Sequence, residues 1–124
     1  MTSVLVVDDS IFIRNILKDM LGRLGVQEIK EASDGLEAVE KVREGNFDLI
    51  FMDVMMPKMD GLQAIKEIMA INPEQKIVVC TSAGQDKIVN EAVESGAKEL
   101  ILKPFDLEEV RGIVDKYLGE TSEG

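Results

Sequence analysis

Carboxylates follow two apolar runs of this sequence. Residues 4–7 lead into Asp8 and Asp9, and residues 49–52 lead into Asp53. Such runs are typical of strands buried on both faces of a parallel sheet, and ligands bind where the carboxyl ends of such strands meet. Two carboxylates about 4 Å apart repel by about 4 kcal/mol at an effective dielectric of about 20. We therefore expect a hard divalent cation, best matched by Mg²⁺, among the three acids.

Two more strand ends carry groups suited to phosphate chemistry. Thr81 follows the apolar run 77–80 and offers a hydroxyl, while Lys103 follows the run 100–102 and offers a mobile ammonium. A carboxylate nucleophile, a metal, a hydroxyl and a cation together make a phosphoryl-transfer site. Each feature alone is common at strand ends, but their occurrence in this order along the chain favours function.

Five apolar runs alternate with five amphipathic helical patterns, which predicts parallel strands joined by right-handed crossovers. The run 28–32 is more polar and is expected at an edge of the sheet. This favours an α/β fold, a flavodoxin-like (βα)5 three-layer sandwich with a five-stranded parallel sheet in the order 2-1-3-4-5. Ser10 is the expected N-cap of the first helix. Residues 1–119 are interpreted as one domain, followed by a polar tail at 120–124.

Composition narrows the functional classes. The 124 residues carry a net charge of −10, which disfavours binding to nucleic acid. The sequence has no secretory leader and no apolar run long enough to span a membrane, so a cytoplasmic protein without a membrane partner is expected. Histidine is absent, which excludes imidazole-based catalysis within the chain. The single cysteine, Cys80, is expected to be a small buried apolar residue.

Four motifs resemble those of a known family. They are Val-Val-Asp-Asp-Ser (6–10), Met-Asp-Val-Met-Met-Pro-Lys-Met-Asp-Gly (52–61), Cys-Thr-Ser-Ala-Gly (80–84) and Lys-Pro-Phe (103–105). Together they are similar to the receiver domain of two-component response regulators, over essentially the whole chain. The resemblance implies a signalling protein that assists its own phosphorylation and dephosphorylation, and not an enzyme in the usual sense.

The resemblance also assigns roles to the acids. Asp53 would accept a phosphoryl group from a CheA-like histidine kinase. Asp9, Asp53 and the backbone carbonyl of Met55 would hold one Mg²⁺ ion, with Asp8 close by or bound through water. The absence of histidine from the chain agrees with a donor imidazole on another protein.

The switch residues follow from the same resemblance. Thr81 and Lys103 would contact the phosphoryl oxygens, and the bond between Lys103 and Pro104 would be cis. The family usually has an aromatic residue three positions before the lysine, but this sequence has Leu100, which we expect to be a partly buried strand residue. The signal would then be carried by the loop at Thr81 and by the fourth helix.

Segments 8–21, 80–85 and 95–100 look most like stand-alone members of the chemotaxis type (CheY-like). For such a protein we expect a monomer whose output is a contact with a flagellar or archaellar motor switch or adaptor protein. In the family that the chain resembles, the positions of Met55 and Ala83 steer the water that hydrolyses the acyl phosphate, and neither side chain here is an acid or amide that could orient it. Slow self-dephosphorylation is therefore expected, unless a phosphatase supplies the missing group.

Other functions remain open from the residues. A phosphorelay intermediate would pass the phosphoryl group from Asp53 to a histidine phosphotransfer protein, and residues 103–111 are compatible with it. A Mg²⁺-dependent phosphatase of the haloacid dehalogenase type is disfavoured, because it needs an acid where Met55 stands. A flavin-binding flavodoxin is less favoured still, since the sequence has no phosphate loop after the first strand.

Overall fold

Five strands and five helices alternate along the chain in the computed structural model, which describes residues 2–54, 56, 60–82, 84 and 86–123, the last four of these by their backbone alone. In chain order they are β1 (Ser3–Val7), α1 (Ile11–Arg23), β2 (Glu28–Ala32), α2 (Gly35–Glu44), β3 (Leu49–Asp53), α3 (Gly61–Ile71), β4 (Ile77–Thr81), α4 (Asp86–Glu94), β5 (Glu99–Leu102) and α5 (Leu107–Glu123).

The strands form one parallel sheet in the order β2-β1-β3-β4-β5, as the sequence predicts. Every residue of β1, β3 and β4 is buried, which explains their uninterrupted apolar runs. The polar β2 lies at one edge, also as predicted. Cys80 is buried in β4, and burial raises the pKa of its thiol far above the ordinary value.

Helices cover both faces of the sheet, which gives the three predicted layers. On one face, α1 and α5 pack on side chains such as Val6 and Phe51. On the other face, α2, α3 and α4 pack on side chains such as Leu5 and Ile50. No helix in the described ranges is long and apolar enough to span a membrane.

Side chains cap the helices that start next to the carboxyl edge of the sheet. The Ser10 hydroxyl accepts a bond from the Ile13 N–H at 3.3 Å, which confirms the predicted cap of α1. Asp60 caps α3 in the same way. At the other end of the chain, α5 continues to Glu123, so the backbone of the predicted tail is helical up to that residue.

One expectation about β5 is wrong. Leu100 is 42 % exposed and not partly buried, and Leu102 on the same face of the strand is also exposed. Ile101 points the other way, into the cluster that α1 and α5 cover. Among the described residues, the cluster on the opposite face includes none from β5. This edge strand is therefore covered on a single face, which the sequence Leu-Ile-Leu does not reveal.

Candidate functional site

The register of the central strands brings the predicted acids together. Val7 pairs with Met52, so Asp8 and Asp53, the next residues, reach the same edge of the sheet. Carboxylate oxygens of Asp8, Asp9 and Asp53 lie within 4.8 Å of one another. Asp8 and Asp53 are buried, whereas Asp9 is exposed and faces solvent.

This donor set fits the cation that the sequence suggests. All three groups are hard carboxylate oxygens, which Mg²⁺ and Ca²⁺ prefer over nitrogen or sulfur ligands. Burial of two like-charged carboxylates so close together is unfavourable unless a cation balances them. Asp8, Asp9 and Asp53 could therefore hold a divalent ion. Met55, whose backbone carbonyl is the fourth expected ligand, lies outside the described residues.

Lys103 is the internal cation of the site. Its Nζ donates to one carboxylate oxygen of Asp8 at 2.7 Å and lies 3.4 Å from a carboxylate oxygen of Asp53. Burial lowers the pKa of Lys103, but the hydrogen bond to Asp8 and the charge of Asp53 outweigh it, so the pKa lies above its ordinary value. Lys103 is therefore charged at neutral pH. The peptide bond between Lys103 and Pro104 is cis.

Thr81 closes the other side of the site. It is buried at the end of β4, and the Lys103 N–H donates to its backbone carbonyl at 2.8 Å, which aligns the ends of β4 and β5. Its hydroxyl donates to the Ser82 carbonyl at 3.3 Å. The acids, Thr81 and Lys103 line one cleft of about 400 Å³, together with Ser10, Ile13 and Ser82. That volume is ample for a phosphoryl group.

Gly61, at the start of α3, lies directly against the backbone of Asp53 and Val54. A Cβ atom built on Gly61 would lie 2.1 Å from the carbonyl oxygen of Asp53 and 2.6 Å from the Cα of Val54. No side chain fits there, since the contact is with backbone that cannot turn away. Glycine at the start of α3 thus allows the helix to approach the strand end that carries the central carboxylate.

One residue that bonds the site is not evident from the sequence. The Arg14 Nη1 donates to the backbone carbonyl of Asp8 at 2.7 Å, from a helix position outside the cleft. Its side chain is also bonded to Glu31 of β2. An arginine one turn into α1 looks like an ordinary surface residue in the sequence, and no pattern there signals its contact with Asp8.

The predicted site residues Asp8, Asp9, Asp53, Thr81 and Lys103 thus meet in one cleft. Leu100 does not line it. The structure brings these side chains together, and their individual roles remain predictions.

Comparison with known proteins agrees with this geometry. The family model for the response regulator receiver domain matches residues 4–115. The chemotaxis protein CheY of Thermotoga maritima is 50 % identical over 102 residues, which are 82 % of this chain and 85 % of that protein. The chemotaxis protein CheY of Bacillus subtilis is 42 % identical over 115 residues, which are 93 % of this chain and 96 % of that protein.

A solved structure is also similar. The crystal structure of a CheX–CheY–BeF3–Mg²⁺ complex from Borrelia burgdorferi matches with a TM-score of 0.88 and 33 % identity, covering 94 % of this chain and 89 % of that one. The chain therefore belongs to the response regulator receiver domain family, a class of two-component signalling proteins. Within that family it is CheY-like.

Proposed function

We propose that this protein is a phosphorylation-controlled binding module of chemotaxis, with Asp53 as the phosphoryl acceptor. The observation that carries the proposal is the meeting of Asp8, Asp9 and Asp53 within 4.8 Å, beside Lys103. A carboxylate nucleophile flanked by acids that can bind Mg²⁺ and by a fixed cation is the arrangement that phosphoryl transfer needs. Sequence identities of 50 % and 42 % to two CheY proteins support the chemotactic role.

In this proposal the phosphoryl donor is a histidine kinase, and the absence of histidine from the chain agrees with a donor imidazole on another protein. One carboxylate oxygen of Asp53 forms the new O–P bond as the N–P bond of the donor breaks. The bonding pair stays on the imidazole nitrogen, and the donor ring, protonated at its other nitrogen, leaves as neutral imidazole. The donor's proton thus stays with the donor, and Asp53 needs no general base.

Residues of the cleft then stabilise the product. Lys103, already 3.4 Å from Asp53, pairs with a phosphoryl oxygen, and the Thr81 hydroxyl turns from Ser82 to another. Asp9 and Asp53, with Asp8 nearby, would hold a Mg²⁺ ion, whose positive charge would neutralise the phosphoryl oxygens. Movement of Thr81 and Lys103 shifts the surface of β4, α4, β5 and α5 towards a form that binds the output partner.

Phosphorylation is tested with a small donor that contains an N–P bond. Phosphoramidate with Mg²⁺ should add one phosphoryl group to the intact protein, detected as a mass gain, and chelation of the metal should prevent it. Asp53→Asn should abolish the gain. Asp19→Asn is the matched control, because Asp19 is an exposed residue of α1 paired with Arg23. Labelling that survives in Asp53→Asn would contradict the proposal.

The output is tested with beryllium fluoride, which mimics the acyl phosphate. A bait loaded with Mg²⁺ and beryllium fluoride should capture a motor switch or adaptor protein from native extract, and Asp53→Ala should not. Capture of a histidine phosphotransfer protein instead would move the assignment to a phosphorelay. The similar complex from Borrelia burgdorferi contains CheX, which supports a phosphatase as a further partner here.

The lifetime of the phosphorylated form follows from Met55 and Ala83, whose side chains carry no acid or amide that could orient water. Decay of the phosphorylated protein, followed by intact mass, should therefore be slow without a phosphatase. A half-life of a few seconds would contradict this expectation.

A further inference from the structure

Asp8 and Asp9 form the acidic loop, which follows β1. The backbone N–H and the backbone carbonyl of Asp8 are each hydrogen-bonded to a neighbouring element. Its N–H donates to the Ala32 carbonyl of β2 at 3.2 Å, and its carbonyl accepts the bond from Arg14 of α1 at 2.7 Å. Its carboxylate is held as well, by the Ser10 N–H at 2.9 Å and the Lys103 Nζ at 2.7 Å. Of these four partners, Arg14 is the one charged side chain that does not line the cleft.

Arg14 is itself anchored. Its Nε donates to one carboxylate oxygen of Glu31 at 2.8 Å, and the Lys18 Nζ donates to the other at 2.7 Å. These bonds, the one from Lys18 first and the one from Arg14 second, lower the pKa of Glu31, so it is ionised at neutral pH. The planar guanidinium bonds two partners at fixed angles, which a lysine cannot do. Glu31 on the edge strand thus fixes the position of the guanidinium that donates to the Asp8 carbonyl.

We infer that Arg14 is a positioning residue for the acidic loop: held by Glu31, it fixes the Asp8 peptide so that Asp8 and Asp9 present their carboxylates at the spacing a divalent cation requires. Since this role concerns the Mg²⁺ site, it rests on the proposed function. Mg²⁺ demands near-ideal octahedral geometry, so a small displacement of the loop weakens binding. Arg14 itself does not line the cleft.

The direction of the change in Mg²⁺ affinity tests this inference, because an effect of charge alone would have the opposite sign. Arg14 is positive and close to the acids, so if it acted only through its charge, its removal would tighten the binding of a cation. If it acts by positioning, its removal weakens binding. Lys18 is the matched control, because it has the same charge and bonds the same Glu31, and the bond it makes is to Glu31 and not to Asp8.

The experiment is a titration of wild type, Arg14→Gln and Lys18→Gln with MgCl₂ and no phosphoryl donor. Heat of binding gives the dissociation constant, and amide chemical shifts of Asp8, Asp9 and Asp53 show that binding is at this site. Arg14→Gln should raise the dissociation constant about fivefold, as expected when part of one charged hydrogen bond is lost from the binding equilibrium. Lys18→Gln should bind as tightly as wild type or more tightly. Circular dichroism confirms that each variant is folded at the titration temperature.

One further variant separates positioning from charge, and a second tests the anchor of Arg14. Arg14→Lys keeps the charge but cannot bond the Asp8 carbonyl and Glu31 together, so it should also bind Mg²⁺ more weakly than wild type. Glu31→Gln leaves Arg14 in place but weakens its anchor, and should weaken Mg²⁺ binding by less than Arg14→Gln does. Because the loss of the Glu31 charge acts in the same direction, Arg14→Lys, which keeps the charge, decides the matter if Arg14→Gln fails to fold.

The outcomes distinguish the two proposals. If wild type binds Mg²⁺ and Arg14→Gln binds it equally or more tightly, the positioning role is wrong and the proposed function stands. If Lys18→Gln weakens Mg²⁺ binding as much as Arg14→Gln does, the effect comes from the loss of any bond to Glu31 and not from the bond between Arg14 and Asp8. The inference is then overturned. If wild type binds no Mg²⁺ at these residues, both proposals fail.

Discussion

Each edge strand of the sheet carries a glutamate that is bonded to the helix covering it, but the two glutamates have different consequences for the site. On β2, Glu31 accepts bonds from two cations of α1, and on β5, Glu99 accepts bonds from Lys116 and Tyr117 of α5. In both places a glutamate on an outer strand is tied to the helix that covers it. In both places these bonds lower the pKa of the glutamate.

The difference lies in where each cluster leads. The side chain of Arg14 is only 13 % exposed and also donates to the carbonyl of Asp8, whereas the side chain of Lys116 is 63 % exposed to solvent. Glu99 begins β5, at the end of the strand away from Lys103. An ion pair on an edge strand therefore matters for the site only when its cation also bonds the chain at the carboxyl edge. The same pair elsewhere fastens a helix and no more.

The largest difference between the two clusters should appear in stability. Arg14→Gln removes a charge-assisted bond to a buried carbonyl and should lower the free energy of unfolding by about 1–3 kcal/mol. Lys116→Gln removes an exposed pair and should leave the free energy unchanged within error. Urea unfolding followed by circular dichroism measures both. Equal losses in the two variants would mean that the clusters are equivalent and the comparison is mistaken.

Acid should affect both clusters in the same direction but not equally. Each glutamate has a lowered pKa in the folded state, so its bonds stabilise the protein above its ordinary pKa of 4.5 and are lost as the pH falls through the lowered value. Glu31→Gln should therefore differ most from wild type near neutral pH, and the difference should vanish in acid. Glu99→Gln should behave alike with a smaller amplitude, because its cation is more exposed.

Urea midpoints recorded from about pH 7 to about pH 3 measure these two curves. A difference between Glu31→Gln and wild type that grows as the pH falls would have the wrong sign for a carboxylate with a lowered pKa.

The smallest effect sharpens the comparison by its selectivity. Burial, the hydrogen bond to Glu99 and the charge of Glu99, in that order, raise the pKa of Tyr117. Tyr117 is the one tyrosine of the chain, so ultraviolet absorbance of the phenolate reports its titration directly. Glu99→Gln should move this pKa down towards the ordinary value of 10.0, and Glu31→Gln should leave it in place. A shift in both variants would show that the edges are coupled through the sheet.

Much of this structure could be predicted because it depends on short stretches of sequence. An apolar run that ends on an acid places that acid at the carboxyl edge, whatever the details of packing. The flavodoxin-like strand order fitted two observations: residues 28–32 are polar and suit an edge, and the most apolar runs suit the inside of the sheet. For the same reason, the sequence could predict that one cleft brings together Asp8, Asp9, Asp53, Thr81 and Lys103.

The remaining features depend on how elements are rotated and covered. Arg14 and Glu31 are 17 positions apart, and their contact requires both the adjacency of β1 and β2 and the orientation of α1. The exposure of Leu100 depends on which face of β5 the helices leave open. A local pattern contains neither kind of information, since an arginine on a helix and a leucine in a strand are ordinary in many settings.

The pair formed by Asp8 and Lys103 has a consequence for folding. The two residues are 95 positions apart, so the lysine reaches the acids only after the last strand has joined the sheet. Until then Asp8, which follows β1, and Asp53, which ends β3, would repel each other without their internal cation. Detachment of the four-residue edge strand β5 should therefore dismantle the site before the rest of the molecule opens. An incomplete chain carries the acids without the charge that balances them, and the site is a property of the finished sheet alone.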